Sequence, residues 1–146
     1  KVPIKEKRRF FRIKFRQLLE AVMTILTIRG KNVNVGNTKV LVENIGPGGL
    51  CFISNIRFPV ERYFILQFST QLIDENIKVY GYPVWAEEID DNLYKYGIEF
   101  TIDENERMDL TKILNQVQIK MKNNILFAEG DFISISPNAY FKSQSE

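Results

Sequence analysis

Hydrophobic and polar positions change their period once along this chain. Up to Phe100 they alternate every second residue, in short runs broken by Gly, Pro, Asn and Asp; after Asp103 they recur at helical spacing. Six runs before the switch read as strands. The first, residues 17–29, turns Val22, Thr24, Leu26 and Ile28 one way and Met23, Ile25 and Thr27 the other, and its β-branched content favours a strand over a helix. The others are 38–43, 50–54, 63–69, 77–89 and 93–100. Between them, residues 30–37 carry two glycines and three asparagines, 55–60 include Pro59, and Asp74-Glu75-Asn76 and Asp90-Asp91-Asn92 mark turns. Pro83 removes a backbone donor inside the fifth run, which predicts an edge or a bulge there.

After the switch, Leu110, Ile113, Leu114, Val117 and Met121 fall on one helical face, Asp103 and Glu106 supply a capping box, and Asn123-Asn124 ends the helix. Residues 125–140 hold Glu129-Gly130-Asp131 between two short apolar runs and read as a hairpin, ahead of a polar end from Lys142 that should fray. Six turn-separated strands followed by one helix predict an α+β, mainly β protein. The expected form is a small antiparallel barrel or sandwich; a closed barrel would remove exposed edges and leave an open end for the helix to cap. The expected organisation is an arm over 1–16, a body over 17–122 and an extension over 123–146.

Composition narrows this picture. A chain of 146 residues with 45% hydrophobic and 26% charged residues is sized for one globular domain. The most apolar run, residues 18–28, is interrupted by Glu20 and is too short to span a bilayer. The single Cys51 has no intrachain partner, and its apolar neighbours predict a buried thiol; a cytoplasmic setting is expected. The chain starts at Lys1 without a Met, which leaves room for an upstream domain. Net charge is +2, but unevenly spread. The first 16 residues hold eight basic side chains against one acidic, and the other 130 hold 12 against 17. A basic arm on a mildly acidic body seeks phosphates or carboxylates.

With no histidine and one cysteine, the chain lacks the commonest general base and the usual metal ligands. Nucleotide-binding fingerprints of the Walker and dinucleotide types are absent, and Glu87-Glu88 and Asp90-Asp91 lie in or beside a turn, so a binding module is expected rather than an enzyme. Two stretches stand out. One is Arg8-Arg9-Phe10-Phe11-Arg12. The other is Asn44-Ile45-Gly46-Pro47-Gly48-Gly49-Leu50, between two hydrophobic runs. Pro47-Gly48 suits the centre of a type II turn, and the further glycines exceed what a turn needs and allow close approach of backbone to a ligand. Guanidinium groups bind phosphate bidentately and stack on purines, while the Asn and the glycine backbone supply amide contacts, a division that fits a guanine nucleotide.

Arg8-x-x-x-Arg12 followed by Asn44-x-Gly46-x-x-Gly49 resembles the paired RxxxR and [D/N]xSxxG signature of PilZ domains, which bind the bacterial second messenger cyclic di-GMP. The likeness continues through Gly49-Leu50-Cys51-Phe52, the 81–85 strand and Tyr96-Gly97-Ile98-Glu99-Phe100, over roughly residues 8–120. It implies a six-stranded antiparallel β-barrel with a C-terminal helix. Arg8 and Arg12 match the arginines that grip phosphates and stack on guanine, and Arg9 assists them. Asn44 matches the residue at a guanine edge, Gly49 the point of closest backbone approach, and Gly48 lies in the same ligand-facing turn. Gly46 stands where the family has Ser, so one hydroxyl contact is missing, worth about 1.5 to 3 kcal/mol for a bond to a charged group. No cofactor or metal is implied beyond this ligand. The implied partners are cyclic di-GMP and a protein or fused output domain, without nucleic acid or membrane insertion. The alternative is a degenerate adaptor that keeps the barrel and binds only protein.

Overall fold

The computed structural model describes residues 10–72, 75–122 and 132–144. Seven strands lead into a helix: β1 (Ile13–Ile28), β2 (Lys31–Asn32), β3 (Asn37–Ile45), β4 (Gly49–Ser54), β5 (Ile65–Leu72), β6 (Glu75–Asp90), β7 (Leu93–Phe100) and α1 (Glu104–Lys122), with α2 (Pro137–Gln144) after them. The sequence predicts six strands. The seventh, β2, is a two-residue return paired to the end of β1 through Ile28↔Lys31, too short to leave a periodic signal. Arg29 and Gly30 at that turn both have positive φ, the requirement of a two-residue type I′ hairpin.

All pairings are antiparallel, in the order β2-β1-β3-β4-β7-β6-β5, and β1 also pairs with β5. Six strands therefore return on themselves in a ring. Alternation decides what faces inward: Leu19, Ala21 and Met23 from β1, Leu50 and Phe52 from β4, Leu66 and Phe68 from β5, Ile77 and Val79 from β6. The helix adds Leu110, Leu114 and Val117 to this core, as its spacing predicts, with Ile113 and Met121 packed at the margin. Its first turn is closed by a reciprocal capping box. The Asp103 N–H donates to Glu106 Oε1 at 2.9 Å and the Glu106 N–H to Asp103 Oδ1 at 2.8 Å. Pro83 sits at a bulge, where the β6–β7 register shifts between Pro83 and Trp85.

Two expectations about the ends change. β1 begins at Ile13, so the expected boundary between arm and body after residue 16 falls inside a strand; Ile13 pairs with Ile45 and Lys14 with Asn44. The expected hairpin lies partly outside the described residues, and the described part, residues 132–144, is neither a hairpin nor a frayed end. Phe132 bridges to Leu19, and residues 137–144 form α2. Tyr140 and Phe141 pack on Leu41, Ile53 and Leu93, on the face of the sheet opposite the interior core. The Tyr140 hydroxyl donates to the Glu20 carboxylate, and Asn138 Nδ2 donates to Asp90 Oδ2 at 2.9 Å. Strand β4, covered on both sides, is buried along its whole length.

Candidate ligand site at the glycine corner

The link between β3 and β4 is short because Gly46 N–H donates to Gly49 O at 2.9 Å. It is also fixed from behind. Phe100 N–H donates to Gly48 O at 2.9 Å, and Gly49 pairs with Glu99 on β7. A side chain then reaches in from the helix, where Arg107 Nε donates to Pro47 O at 3.3 Å. The corner is thus attached to the end of the sheet and to the first turns of α1.

Sequence reasoning assigns these glycines to a type II turn with positive φ at Gly48. The structure corrects this: among the described residues the glycines with positive φ are Gly30 and Gly36, and the corner glycines are not in the left-handed region. What the corner requires is the absence of a Cβ. One added at Gly46 would overlap the carbonyl oxygen of Phe11 and lie 2.9 Å from Arg12 Cδ. At Gly48 it would lie 2.6 Å from the Phe10 ring. At Gly49 it would overlap Ile98 O and sit 2.9 Å from Arg12 Nη2. Gly46 and Gly49 together let the Arg12 side chain lie across the corner.

Arg12 completes the arrangement by donating from Nη1 to Asn44 Oδ1 at 2.7 Å, a charge-assisted bond between residues 32 apart. Residues 10–12 therefore run over the corner, with Phe10 on Gly48, the Phe11 carbonyl on Gly46 and Arg12 on Asn44 and Gly49. Of the residues singled out from the sequence, Arg12, Asn44, Gly46, Gly48 and Gly49 come together. Arg8 and Arg9 lie outside the described residues. Phe10 enters the sequence reading only as part of the arginine stretch, without a role at the site; its ring lies 5.3 Å from the guanidinium of Arg107, a residue that sequence reasoning misses and that also pairs with Glu104 at 2.6 Å. An arginine on a helix's polar face carries no sequence mark, and its contact with Pro47 spans 60 positions.

Next to the corner, Lys95 Nζ meets Glu43 Oε1 at 3.0 Å and the Cys51 Sγ–H donates to the same oxygen at 3.6 Å. Burial first and the Glu43 charge second push the thiol from 9.0 up to about 12, so Cys51 stays protonated and is no nucleophile at neutral pH. Among the described residues no group of three or more Cys, Asp or Glu side chains is arranged to hold a metal. Among them, too, no helix is long and apolar enough to cross a membrane.

A mainly β domain with a C-terminal helix, presenting an arginine across a glycine corner, is the arrangement this site defines. Residues 6–116 match the family model of the PilZ domain, and the chain belongs to that family. Solved structures share the fold. The Bacillus subtilis inhibitor of motility MotI/DgrA aligns with a TM-score of 0.56 at 13% identity over 77% of this chain and 52% of its own. YcgR from Escherichia coli in complex with c-di-GMP aligns at 0.57, with 11% identity over 81% of this chain and 49% of its own. The PilZ domain of YcgR with c-di-GMP aligns at 0.54, with 12% identity over 81% of this chain and 96% of its own. The chain thus spans about half the length of MotI and of full YcgR. No curated protein is detectably similar in sequence.

Proposed function

We propose that this chain is a receptor module for cyclic di-GMP that signals by ordering its arginine-rich leader over the corner and so altering a contact with a partner protein or fused domain. The ring of six strands serves as the family's barrel, and the corner at its rim serves as the nucleotide site. The observation that carries the reading is the Arg12 to Asn44 bond laid across Gly46 and Gly49. It joins both halves of the family signature in one place, with a guanidinium and an amide side by side for phosphate and guanine. Arg8 and Arg9 add charge from the leader, and the PilZ domain of YcgR with c-di-GMP supports the choice of ligand. The module is a binder and not a catalyst.

Calorimetric titration with cyclic di-GMP tests this. Saturable heat is expected for the wild type, with a loss of tenfold or more in affinity for Arg12→Ala, roughly the worth of one hydrogen bond to a charged group. Absence of heat at high micromolar ligand overturns it. Binding should persist against excess GMP or random single-stranded oligonucleotide; steeply salt-dependent binding to any oligonucleotide would instead mark a nonspecific cationic arm.

A second reading has one observation in its favour. Where the family signature has Ser, Gly46 offers no hydroxyl, and the place a side chain would take is filled by the Phe11 carbonyl. On that reading the leader has become a fixed part of the domain, and the chain is an adaptor that binds protein alone. The same titration separates the two.

A further inference from the structure

The family signature accounts for Arg12, Asn44 and the glycines, but leaves the wedge beside them unexplained. The Phe10 ring sits against Gly48, at a spot no Cβ could share, and the Arg107 guanidinium lies 5.3 Å from the ring centre. Arg107 is held there from two sides, by its Nε bond to Pro47 O at 3.3 Å and its Nη1 contact with Glu104 at 2.6 Å. A guanidinium fixed in this way presents a flat face, and aromatic rings are attracted to such a cation. The leader is therefore attached at two points two residues apart: Arg12 to Asn44, and Phe10 to the helix.

We propose that Phe10 and Arg107 form a latch that seats the leader on the glycine corner, with Arg107 acting as a positioning residue for the nucleotide site. This inference rests on the reading of the corner as that site, and it assigns the latch a task distinct from ligand contact. Phe10 fixes where the backbone of residues 10–12 lies, which sets the starting point of the Arg12 side chain. Arg107 belongs to α1, so movement of the leader is felt by the helix. The latch thereby gives α1 a direct physical connection to occupancy of the corner, through residues that carry no part of the signature. Gly48 is explained by the same device, since any larger residue would displace the ring.

Limited trypsin digestion of the full chain tests the latch without nucleotide. Cleavage after Arg12 requires the leader to leave the corner, and a contact of this type shifts such an equilibrium by about three- to tenfold. Phe10→Ala and Arg107→Gln are expected to be cut after Arg12 faster by that factor, with melting temperatures within a few degrees of wild type. Phe10→Trp keeps an aromatic face and is expected to be cut at nearly the wild-type rate, a rescue that mere loss of folding would not allow. Calorimetry on the same variants should show affinity for cyclic di-GMP weakened by up to the same factor. Wild-type cleavage rates for both Phe10→Ala and Arg107→Gln overturn the latch. Faster cleavage with unchanged nucleotide affinity overturns the positioning role. If the wild type binds no cyclic di-GMP while cleavage rises as expected, the nucleotide reading fails and the latch stands.

Discussion

Gly46 and Gly49 look alike in sequence, yet the same substitution should damage different parts of the protein. A Cβ at Gly49 comes 2.9 Å from Arg12 Nη2, the far end of a flexible side chain that can shift without moving the leader backbone. It also overlaps Ile98 O, a backbone atom of β7 held in the centre of the sheet by the β4 and β6 ladders. Neither strand can yield without breaking its register, so Gly49→Ala carries the full cost of overpacking, about 2 to 3 kcal/mol. For a domain of this size that lowers the melting temperature by roughly 5–12 °C. A Cβ at Gly46 overlaps Phe11 O instead, on the leader at the entrance to β1. The leader can retreat by the ~1 Å needed to restore van der Waals contact. The body should lose little, within about 1 kcal/mol, but the retreat strains the 2.7 Å bond from Arg12 to Asn44 and lifts Phe10 from the helix. Thermal denaturation and hydrogen–deuterium exchange separate the cases. Gly49→Ala is expected to melt early with normal leader exchange below the transition. Gly46→Ala is expected to melt near wild type with faster exchange in residues 11–13 and weaker cyclic di-GMP binding. Equal falls in melting temperature for the two variants, with unchanged exchange in the leader, refute the reasoning.

Other expectations come from single contacts. Asp103→Ala removes half of the capping box and should cost about 1 kcal/mol, seen as a fall of roughly 3–4 °C in melting temperature; no change would mean that the box does not hold the helix start. Cys51, with its thiol pushed up to about 12, should resist a disulfide reagent at pH 8 and react only on unfolding, and rapid labelling of the native protein would contradict its burial. The sign also sets a pH trend: an unfolded thiol ionises near 9.0 and the folded one does not, so this group's contribution to stability falls as pH rises from about 9 toward 12. Truncation before Pro137 should uncover Leu41, Ile53 and Leu93 and raise binding of a hydrophobic dye, while unchanged dye binding would show that α2 does not protect that face.

Much of this architecture was legible because it depends on period. Alternation marks β1 and β3 to β7, and Leu110, Leu114 and Val117 mark α1, since inward-facing side chains must be apolar whatever else the chain does. Residues 12–16 also alternate basic and apolar side chains, a pattern that fits a docked arm as well as a strand. The pairing of Ile13 with Ile45 and of Lys14 with Asn44 assigns this segment, from Ile13 onward, to β1. The two residues of β2 are too few for any pattern. Helix α2 was hidden because it packs through the adjacent pair Tyr140 and Phe141, with a polar remainder that resembles a frayed end. At the corner, sequence singled out residues that the structure brings together, but partly for the wrong reason. Pro47-Gly48 suggested turn dihedrals, whereas the glycines are needed because Phe10, Phe11, Arg12 and Ile98 come too close for a side chain. Those neighbours are distant in sequence, as is Arg107, so no local pattern could reveal them.

Whether the leader and the corner act as one nucleotide site is tested most directly by amide chemical shifts followed during titration with cyclic di-GMP. Saturable shifts concentrated in residues 8–14 and 44–49, with smaller ones at the start of α1, are the expected result. Saturable shifts confined to another face of the sheet, or none at millimolar nucleotide, would contradict it.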